Sequence, residues 1–439
     1  MAKSFESWGR YPVAQPSTVA DLAWTQDLDL QRLQGPVLAY GKGRSYGDVC
    51  LNGDGTLLAM EQCSRIRSFD RERGVITAEA GLTIQDLLRV VVPHGWFVPV
   101  TPGTKYVTLG GAIANDVHGK NHHRVGTFGC HVLAFTLMRT DGSTLACTPT
   151  SHADMFAATI GGLGLTGVIT TVTLQLIPIA SRMIDEESIK ARSLREVIDL
   201  TIASDDAWDY TVSWIDVLAT GRSLGKGLVL RGNFSTVHDG TLTAPWKEPL
   251  LRIPFEGPTW LLSKPTIALF NTVWYRKQIG RMHRRHIDLE PFFYPLDAVD
   301  RWNLLYGRRG MMQYQCVVPL DGGEDAMRRI LSTMQSGGIS SFLAVLKMFG
   351  NVRSPGIMSF PRPGLTLTLD MPIGGRRMFD ALDRCDAIVH DMGGRIYPAK
   401  DARVHGAMFR AMYASELKAF QPFIDPGMSS TFWRRVTQE

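Results

Sequence analysis

The sequence lacks the paired cysteines that structural zinc sites and redox dithiols require. Its six cysteines are spread over 439 residues, and no two of them form a C-x-x-C pair. Zinc and dithiol sites are usually recognised by that spacing, so we expect neither here. The scatter is typical of free, buried thiols in a reducing compartment.

Long hydrophobic runs and a strong charge of either sign are missing as well. No window reaches the roughly 18 uninterrupted apolar residues that predict a membrane span. The N-terminal stretch MAKSFESWGRYP has no apolar signal-peptide segment. We therefore expect no transmembrane helix, no secretory signal and a cytoplasmic location. The net charge is only +5, and no basic run interleaved with aromatic residues predicts nucleic-acid binding.

What is present is an ordinary globular composition in a long chain. Hydrophobic residues make up 44% of it and charged residues 20%, which excludes a disordered protein. A chain of 439 residues exceeds one ordinary core, so we expect two domains. Over residues 35–180 short strands alternate with helices. For example, Val75–Glu79 predicts a strand, and Thr83 can cap a helix that Pro93 and Gly95 end.

After about residue 181 the pattern changes to a two-residue alternation of side chains. It recurs in Tyr210–Trp214, Gln313–Val317 and Leu365–Leu369, and it predicts an antiparallel sheet with one face covered. Between the first two of these segments lies a stretch rich in proline and tryptophan, residues 244–275. This stretch predicts a long irregular insertion.

Three segments combine glycines and small residues in a way that permits close approach of the backbone to a ligand. Gly41–Asp48 (GKGRSYGD) follows a predicted strand, and its glycines let backbone N–H groups turn toward an anion. The second segment pairs Thr101–Thr104 with Thr108–Asn115, and the third, Gly161–Ile169, has four glycines before a strand. None is a G-x-G-x-x-G or a Walker A motif. Each alone also fits an ordinary turn or helix start.

A histidine-rich segment, His118–His123 (HGKNHH), lies between the second and third of these. His122 and His123 are adjacent and point apart in a helix or a strand, and no carboxylate or cysteine flanks them at ligand spacing. We therefore expect no metal site, and we interpret both as surface or hydrogen-bonding histidines. His118 differs because a glycine follows it and small residues precede it.

Together and in this order, the four segments resemble the FAD-binding domain of the vanillyl-alcohol-oxidase (PCMH-type) family. In that family, backbone amides of two glycine loops surround the diphosphate, and the isoalloxazine lies over the domain junction. The resemblance implies an α+β fold of two domains, with a PCMH-type FAD-binding fold and an antiparallel-sheet substrate domain. It implies an FAD-binding domain over residues 1–181, a substrate-binding domain over 182–394 with the insertion 244–275, and a segment 395–439 that returns to the FAD domain.

Longer motifs along nearly the whole chain are similar to those of the decaprenylphosphoryl-ribose oxidase family. They include Trp8–Pro12 (WGRYP), Trp274–Lys277, Phe342–Gly350, Ser359–Pro361 and Tyr397–Arg403 (YPAKDAR). The resemblance implies FAD-dependent oxidation of the 2′-hydroxyl of a polyprenyl-phosphoryl ribose to the keto sugar, the first half of epimerisation to an arabinose donor. It also implies an NADH-dependent keto-reductase partner, a quinone or other electron acceptor, peripheral contact with the inner membrane, and a periplasmic location as an alternative.

The resemblance also implies roles for single residues. Lys400 is the expected base, because a lysine desolvated by the flavin can have a lowered pKa, although most lysines lie on the surface. His118 and Tyr46 join it as expected catalytic residues. Relatives with covalent flavin carry a histidine within residues 39–49, and this chain has none there, so we expect non-covalent FAD. The expected substrate-binding residues are Lys120, Trp214 (a pocket wall or a core residue), Gln315, Lys347, Thr366, Thr368 and Lys400. The expected cofactor-binding residues are Gly41, Lys42, Gly43, Arg44, Ser45, Tyr46, Gly47, Asp48, Gly103, Thr104, Thr108, Leu109, Gly110, Gly111, Asn115, Asp116, Val117, His118, Ile169 and Tyr397.

Two positions depart from the family pattern, which places an asparagine at Thr366 and a cysteine at Thr368. That cysteine is the thiol attacked by nitroso forms of benzothiazinone inhibitors, so we expect no such adduct here. A shorter polyprenyl chain or another glycosyl phosphate then stays open as the substrate. A soluble alditol or sugar-lactone oxidase of the same fold is an alternative, and a non-catalytic glycolipid-binding or scaffold protein is another. The insertion is either a lid or membrane-facing rim or a second small core.

Overall fold

Two large sheets organise the chain, in a computed structural model that describes residues 5–438. The strands are β1 (Thr18–Asp21), β2 (Val37–Tyr40), β3 (Thr56–Ala59), β4 (Ile66–Asp70), β5 (Val75–Glu79), β6 (Trp96–Phe97), β7 (Val132–Met138), β8 (Thr144–Cys147), β9 (Val168–Gln175), β10 (Ile177–Pro178), β11 (Met183–Ala191), β12 (Tyr210–Ile215), β13 (Gly227–Phe234), β14 (Leu251–Arg252), β15 (Met282–Asp288), β16 (Val299–Asp300), β17 (Met311–Val318), β18 (Ala344–Phe349), β19 (Gly364–Pro372) and β20 (Arg395–Ile396). The α-helices are α1 (Ile84–Val91), α2 (Leu109–Ala114), α3 (His122–Val125), α4 (Ala153–Thr159), α5 (Leu194–Ile202), α6 (Lys264–Lys277), α7 (Leu289–Phe293), α8 (Gly323–Ser336), α9 (Arg376–Asp391), α10 (Gly406–Met412), α11 (Ala414–Phe420) and α12 (Thr431–Thr437).

The first large sheet is antiparallel, with strand order β4-β5-β9-β7-β8. Helix α1 begins where the sequence predicts, because Thr83 accepts a hydrogen bond from the Asp86 N–H at 3.1 Å and caps the helix. The chain then leaves the helix through Gly95, whose φ of 77° favours glycine. The predicted strand Val75–Glu79 and the Thr83-capped helix are thereby confirmed.

A smaller parallel sheet, β1-β3-β2, lies at the start of the chain and carries the first glycine loop. The C-terminal helix α12 packs on this loop, since Arg435 binds Asp48 through two hydrogen bonds of 2.9 and 2.8 Å. Val37 also forms a parallel bridge with Met428. The end of the chain therefore supports its beginning, while the predicted domain boundaries stay a prediction.

The second large sheet has eight strands in the order β15-β11-β13-β12-β18-β19-β17-β20. Its pairings are antiparallel. One face packs on α5, α8 and α9 through a large apolar core that includes Leu365, Leu367 and Leu369. The expectation of only one covered face is wrong for β17, in which every residue is buried. Its second face is covered because it meets the loops that follow β2 and α2.

The stretch 244–275 is only partly irregular. Its last twelve residues belong to α6, so the prediction of an irregular insertion is wrong for residues 264–275. Pro265 suggested a break in regular structure, but it lies in the first turn of α6. A proline is tolerated there because the N–H groups of the first turn have no partner within the helix. The buried side chain of Asn271 donates to Asp216 Oδ1 at 2.9 Å and to the Ser341 carbonyl at 3.2 Å, which fixes the helix on the second sheet. Among residues 5–438, no helix is long and apolar enough to cross a membrane.

Candidate functional site

Alternate residues of the central strands form a polar floor on the face of the second sheet that is turned away from its helices. Gln313 pairs with Asp370 and Gln315 with Thr368 across β17 and β19. Lys347 of β18 pairs with Thr366 of β19. Residues opposite each other in an antiparallel pair point to the same side. The strands therefore gather six polar side chains on one face, and those of Thr366 and Gln315 are joined by a 3.3 Å hydrogen bond.

Two loops face this floor and bring Tyr46 and Lys400 onto it. The Tyr46 N–H donates to the Ala399 carbonyl at 3.2 Å, which aligns the first glycine loop with the turn before Lys400. Lys400 Nζ lies 4.0 Å from the centre of the Tyr46 ring, and the Tyr46 hydroxyl donates to Asp370 Oδ2 at 3.5 Å. A Cβ at Gly47 would lie 1.6 Å from the Asp401 carbonyl oxygen, so only glycine permits this contact.

Lys400 and Asp370 form an acid–base pair whose members titrate near neutrality. Burial lowers the pKa of Lys400 to about 8, against the opposing effect of the Asp370 carboxylate. Burial raises the pKa of Asp370 to about 7, although a hydrogen bond from Gln313 favours its ionised form. Among residues 5–438, the two charged groups form no ion pair within 4.0 Å. A lysine with a lowered pKa near a carboxyl group can exchange a proton with a ligand, and the role of Lys400 as the base stays a prediction.

Two further lysines, both half-buried, lie near this pair. Burial lowers the pKa of Lys120 to about 8. Burial, followed by the charges of Lys120 and Lys400, lowers the pKa of Lys347 to about 7. Lys120 Nζ donates to the Phe292 carbonyl and lies 4.5 Å from the centre of its ring. Three half-buried lysines thus surround one region, and within the described part of the chain none has a carboxylate within ion-pair distance.

His118 lies between two members of this group. The Gln315 side-chain amide donates to His118 Nε2 at 2.9 Å, which leaves the ring proton on Nδ1, 3.4 Å from Lys347 Nζ. Burial, and then the charge of Lys347, hold the pKa of His118 well below its usual value. Its imidazole is therefore neutral at physiological pH, and it positions Gln315. A direct catalytic role for His118 stays a prediction.

The loop after β2 offers unpaired donors to an anion. Among residues 5–438, the backbone N–H groups of residues 42–45 donate to no protein acceptor, and the φ of 59° at Gly43 turns the loop back on itself. The buried Nε of Arg44 also has no hydrogen-bond partner. A Cβ at Gly41 would lie 2.5 Å from Thr108 Oγ1, so the loop lies directly against the start of α2. A Cβ at Gly103 would meet nothing within 4 Å, so this turn borders open space. These features fit the diphosphate of FAD.

Some predicted cofactor contacts are already used within the protein. The N–H groups of Leu109 and Gly110 donate to carbonyls of residues 82 and 80, and that of Gly111 donates to Thr108 Oγ1. The Asp48 carboxylate binds Arg435, and the Asp116 carboxylate accepts from Gly129 N–H at 2.9 Å and from the hydroxyls of residues 354 and 359. These N–H groups and carboxylates hold the loops in place, and the prediction that their residues contact FAD stays a prediction.

The other predicted residues lie around the same region. Tyr397 stacks on Phe360 at 4.6 Å, and its hydroxyl donates to the Asn115 carbonyl at 2.8 Å. Asn115 Oδ1 is buried without a partner. Trp214 lies on β12 opposite Val345, one strand from Lys347, and its indole donates to the Phe342 carbonyl at 2.9 Å. Of the remaining predicted positions, Val117 lies in the turn after α2 and Thr104 in the turn of residues 101–104. Lys42 and Ser45 lie in the first glycine loop, and Ile169 lies on the strand β9.

The interpretation of His122 as a surface or hydrogen-bonding residue is wrong. His122 is buried, neither ring nitrogen has a hydrogen-bond partner within the described chain, and its ring packs on Phe349 at 4.5 Å. Burial and the charges of Lys347 and His123 lower its pKa to about 3, so it behaves as a neutral aromatic residue. His123 is also buried, but its Nε2 makes the expected hydrogen bond, with the Trp208 carbonyl at 2.9 Å. The structure contains no cluster of three metal-ligating side chains among residues 5–438.

Comparison with known proteins agrees with this geometry. Residues 12–148 match the FAD binding domain family. A decaprenylphosphoryl-β-D-ribose oxidase from Mycolicibacterium smegmatis is 36% identical over 387 residues, which cover 86% of this chain and 83% of that protein. The chain belongs to the decaprenylphosphoryl-ribose oxidase family. It is an FAD-dependent oxidoreductase of the PCMH type, and the predicted α+β fold class and FAD cofactor are confirmed.

Other relatives extend the range of the comparison. An uncharacterised protein of Streptomyces coelicolor is 34% identical over 366 residues, which cover 80% of this chain and 97% of that protein. The L-gulonolactone oxidase of Mus musculus is 35% identical over 188 residues, which cover 42% of this chain and 41% of that enzyme. The likeness to lactone oxidases thus spans less than half of the chain, whereas the likeness to the decaprenylphosphoryl-ribose oxidase family spans most of it.

Within this decaprenylphosphoryl-ribose oxidase fold, sequence reasoning missed Asp370 and Gln313 as site residues. Both lie on the polar floor beside Thr366 and Thr368, and the two threonines differ from the family pattern. A signal was available, because Thr366, Thr368 and Asp370 alternate with the leucines that face the helices. A two-residue period places all three on the opposite face.

Proposed function

We propose that this chain oxidises the 2′-hydroxyl of a polyprenyl-phosphoryl ribose to a 2′-keto sugar. The observation that carries the proposal is the convergence of half-buried Lys120, Lys347 and Lys400 on one region opposite the FAD-binding loops, where none of them forms an ion pair within 4.0 Å among residues 5–438. Lysines drawn this far out of solvent usually have a counter-charge. A sugar phosphate would supply that charge, and its hydroxyls would meet the amides and hydroxyls of the polar floor.

The same observation favours a phosphorylated sugar over the soluble-oxidase alternative. A free alditol or sugar lactone is neutral, so its binding would bring no counter-charge to Lys120 and Lys347. Burial and the neighbouring cations lower the pKa of Lys347 to about 7, and a bound anion would raise it again toward the usual value of a lysine. We assign the phosphate to Lys347 and Lys120 and the reacting hydroxyl to Lys400, because Lys400 alone of the three lies against Tyr46 and next to Asp370.

The chain's own residues then bind, orient and deprotonate the alcohol. Neutral Lys400 accepts the hydroxyl proton as the carbonyl forms, and Asp370 stabilises the resulting ammonium. Gln315 and Thr366 offer hydrogen bonds to the sugar hydroxyls, and Tyr46 closes the region above Lys400. FAD, held without a covalent bond by the glycine loops, supplies the hydride acceptor.

Anaerobic mixing of the holoenzyme with polyprenyl-phosphoryl ribose tests this function. We expect the flavin absorbance in the visible to bleach in a single turnover, and the product to carry a 2′-ketone by mass spectrometry. Free pentitols and sugar lactones at equal concentration serve as controls. Rapid peroxide formation from those controls, with no bleaching by the lipid phosphate, would establish the soluble oxidase instead. Protein that purifies without flavin absorbance would indicate a scaffold.

The product and the reduced cofactor each require a partner. A keto sugar becomes the arabinose epimer only if hydride returns from the other face, so we propose an NADH-dependent keto-reductase as the next enzyme. We propose a quinone as the acceptor that reoxidises the flavin, since a lipid-linked substrate places the reaction near a membrane.

Substitution of Asp370 by asparagine tests which group is the base. The Asp370 carboxylate raises the pKa of Lys400, so Asp370→Asn removes that support and lowers the pKa. Because the neutral lysine acts, the pH at which flavin reduction reaches half its maximum should move down, while the plateau rate stays within about tenfold. Stopped-flow reduction across the pH range measures both. A plateau that falls by roughly 100-fold or more with no shift would identify Asp370 itself as the base.

A further inference from the structure

Exposed apolar side chains concentrate in one segment of the chain. Of the 18 large hydrophobic residues that are exposed among residues 5–438, ten lie between Leu250 and Met282. The side chains of Trp260 and Leu269 are each 66% exposed, and that of Ile279 is 91% exposed. We call residues 250–282 the apolar rim. A soluble surface rarely gathers so many exposed apolar residues without a partner to cover them.

The apolar rim presents these residues on an anchored helix. Leu269 and Val273 lie one turn apart on the outer face of α6, as do Phe270 and Trp274, whose rings stack at 5.9 Å. The opposite face is held down by Asn271, described above, and by buried Ile267. Leu262 packs inward on the small core around Trp302 and Tyr306. The rim is therefore a fixed surface with its apolar residues outward, and only its edge contributes to a second core.

Beyond Glu256, which pairs with Arg10 and Arg308, the charges of this region are all positive. No aspartate or glutamate occurs from Gly257 to Ile287, whereas six lysines and arginines do. Arg281, Arg284 and Arg285 pair with glutamates of neighbouring elements. In the part of the chain that the structure describes, Lys264, Arg276 and Lys277 form no ion pair, and Lys277 lies 5.2 Å from the centre of the Trp274 ring. Free cations beside exposed tryptophan and leucine are typical of proteins that lie on anionic lipid surfaces.

We propose that the apolar rim docks on an anionic bilayer surface, with the outer face of α6 in the headgroup region. A second copy of the chain is a poorer occupant, because a symmetric contact would bring the unpaired cations of both copies together. The rim also borders a cavity of about 930 Å³, lined by Phe255, Leu262 and Lys264 on the rim side and by Tyr306 and Met371 on the inner side. Met371 directly follows Asp370.

Docking on the rim would bring the chain to the bilayer in which the prenyl chain of a lipid-linked sugar stays. The docking surface stands on the exposure and charge of the rim, and only the identity of the delivered lipid rests on the proposed function.

Vesicle sedimentation of the full-length holoenzyme tests the docking. The vesicles are phosphatidylcholine alone or mixed with phosphatidylglycerol. We expect binding to the anionic vesicles only, and a loss of at least about tenfold in the partition coefficient for the triple variant Leu269→Ser, Val273→Ser, Ile279→Ser and for the double variant Arg276→Gln, Lys277→Gln. The matched control is Val13→Ser, Ile202→Ser, Val237→Ser, which removes three exposed apolar residues elsewhere and should bind as the parent chain does.

Three outcomes would overturn the proposal. They are no binding of the parent chain to anionic vesicles, an equal loss in the control variant, or a dimer in light scattering that the serine variant dissociates. Flavin reduction by a short-chain, water-soluble polyprenyl-phosphoryl ribose separates this proposal from the proposed function. It should be unchanged in the serine variant, and failure of that reduction in the parent chain would refute the function while leaving vesicle binding intact.

Discussion

Substitution of Lys400 by alanine is expected to leave FAD bound and to slow flavin reduction by roughly 100- to 10,000-fold, the range that a positioned general base contributes. Lys400 Nζ lies against the Tyr46 ring, and burial lowers its pKa to about 8. The lysine can thus lose its proton under mild conditions and accept one from the substrate hydroxyl. Single-turnover absorbance measures the rate, and flavin fluorescence after denaturation measures the cofactor content.

The rate of flavin reduction should also depend on pH in a definite direction. The folded-state pKa of Lys400 lies below its usual value, so the neutral, active form grows as pH rises through about 8. Reduction by the parent enzyme should therefore accelerate with pH and level off above that value. Lys400→Arg keeps the positive charge but cannot lose its proton, so it should be as slow as Lys400→Ala at every pH.

A matched control separates chemistry from general damage. Lys418 lies exposed on α11, and Lys418→Ala should reduce its flavin at the parent rate. The assignment of Lys400 as the base would be wrong if Lys400→Ala bleached as fast as the parent protein. It would also be wrong if Lys400→Arg kept the parent rate and pH profile, since a permanent cation cannot take the proton.

Local sequence chemistry explains which parts of the fold were predictable. The cap at Thr83 and the strand Val75–Glu79 depend on neighbouring residues, so they can be recognised without the tertiary structure. The start of α6 could not be recognised in this way, because Pro265 reads as a helix breaker unless its place in the first turn is known. The covered second face of β17 was also hidden, since it depends on loops more than 190 residues away in sequence, such as the one that places His118 on Gln315.

The candidate site depends on register, which a single sequence does not reveal. Lys120, Lys347 and Lys400 come from three separate parts of the chain, and nothing in their local sequence places them together. The resemblance to a known family supplied them, but it did not supply Asp370. The resemblance also did not show that the Asp48 carboxylate forms hydrogen bonds with Arg435. In both cases the sequence alone does not reveal which distant residue lies beside the aspartate, Lys400 for Asp370 and Arg435 for Asp48.

Because Arg435 binds the buried Asp48 carboxylate, its loss is the second substitution for which we expect a large effect, here on the stability of the fold. Its guanidinium binds Asp48 through two hydrogen bonds, Asp401 Oδ2 at 2.8 Å and the Val404 carbonyl at 2.6 Å. It therefore joins the end of the first glycine loop to the residue that follows Lys400. Asp48 is fully buried, and burial already raises its pKa with Arg435 in place.

Arg435→Ala should destabilise the protein by about 3–5 kcal/mol, the cost of leaving one partner of a buried ion pair uncompensated. Asp48 would then have a folded-state pKa further above its unfolded value, so the destabilisation should be greatest at high pH and smaller where the carboxyl is protonated. Adding Asp48→Asn should recover part of the loss, because a neutral amide costs less to bury than an unpaired charge. Thermal melts across pH, with flavin release as a second signal, measure both.

Arg434→Ala provides the matched control from the neighbouring position. Arg434 binds only neutral acceptors, Asn52 Oδ1 at 2.9 Å and the Gly53 carbonyl at 2.6 Å, so its loss should cost about 1–2 kcal/mol with little dependence on pH. Equal losses for the two arginines, or no recovery with Asp48→Asn, would show that Arg435 acts by packing alone. A larger, pH-dependent loss at Arg435 would instead show that a charge buried under the first glycine loop fixes the FAD-binding backbone beside Lys400.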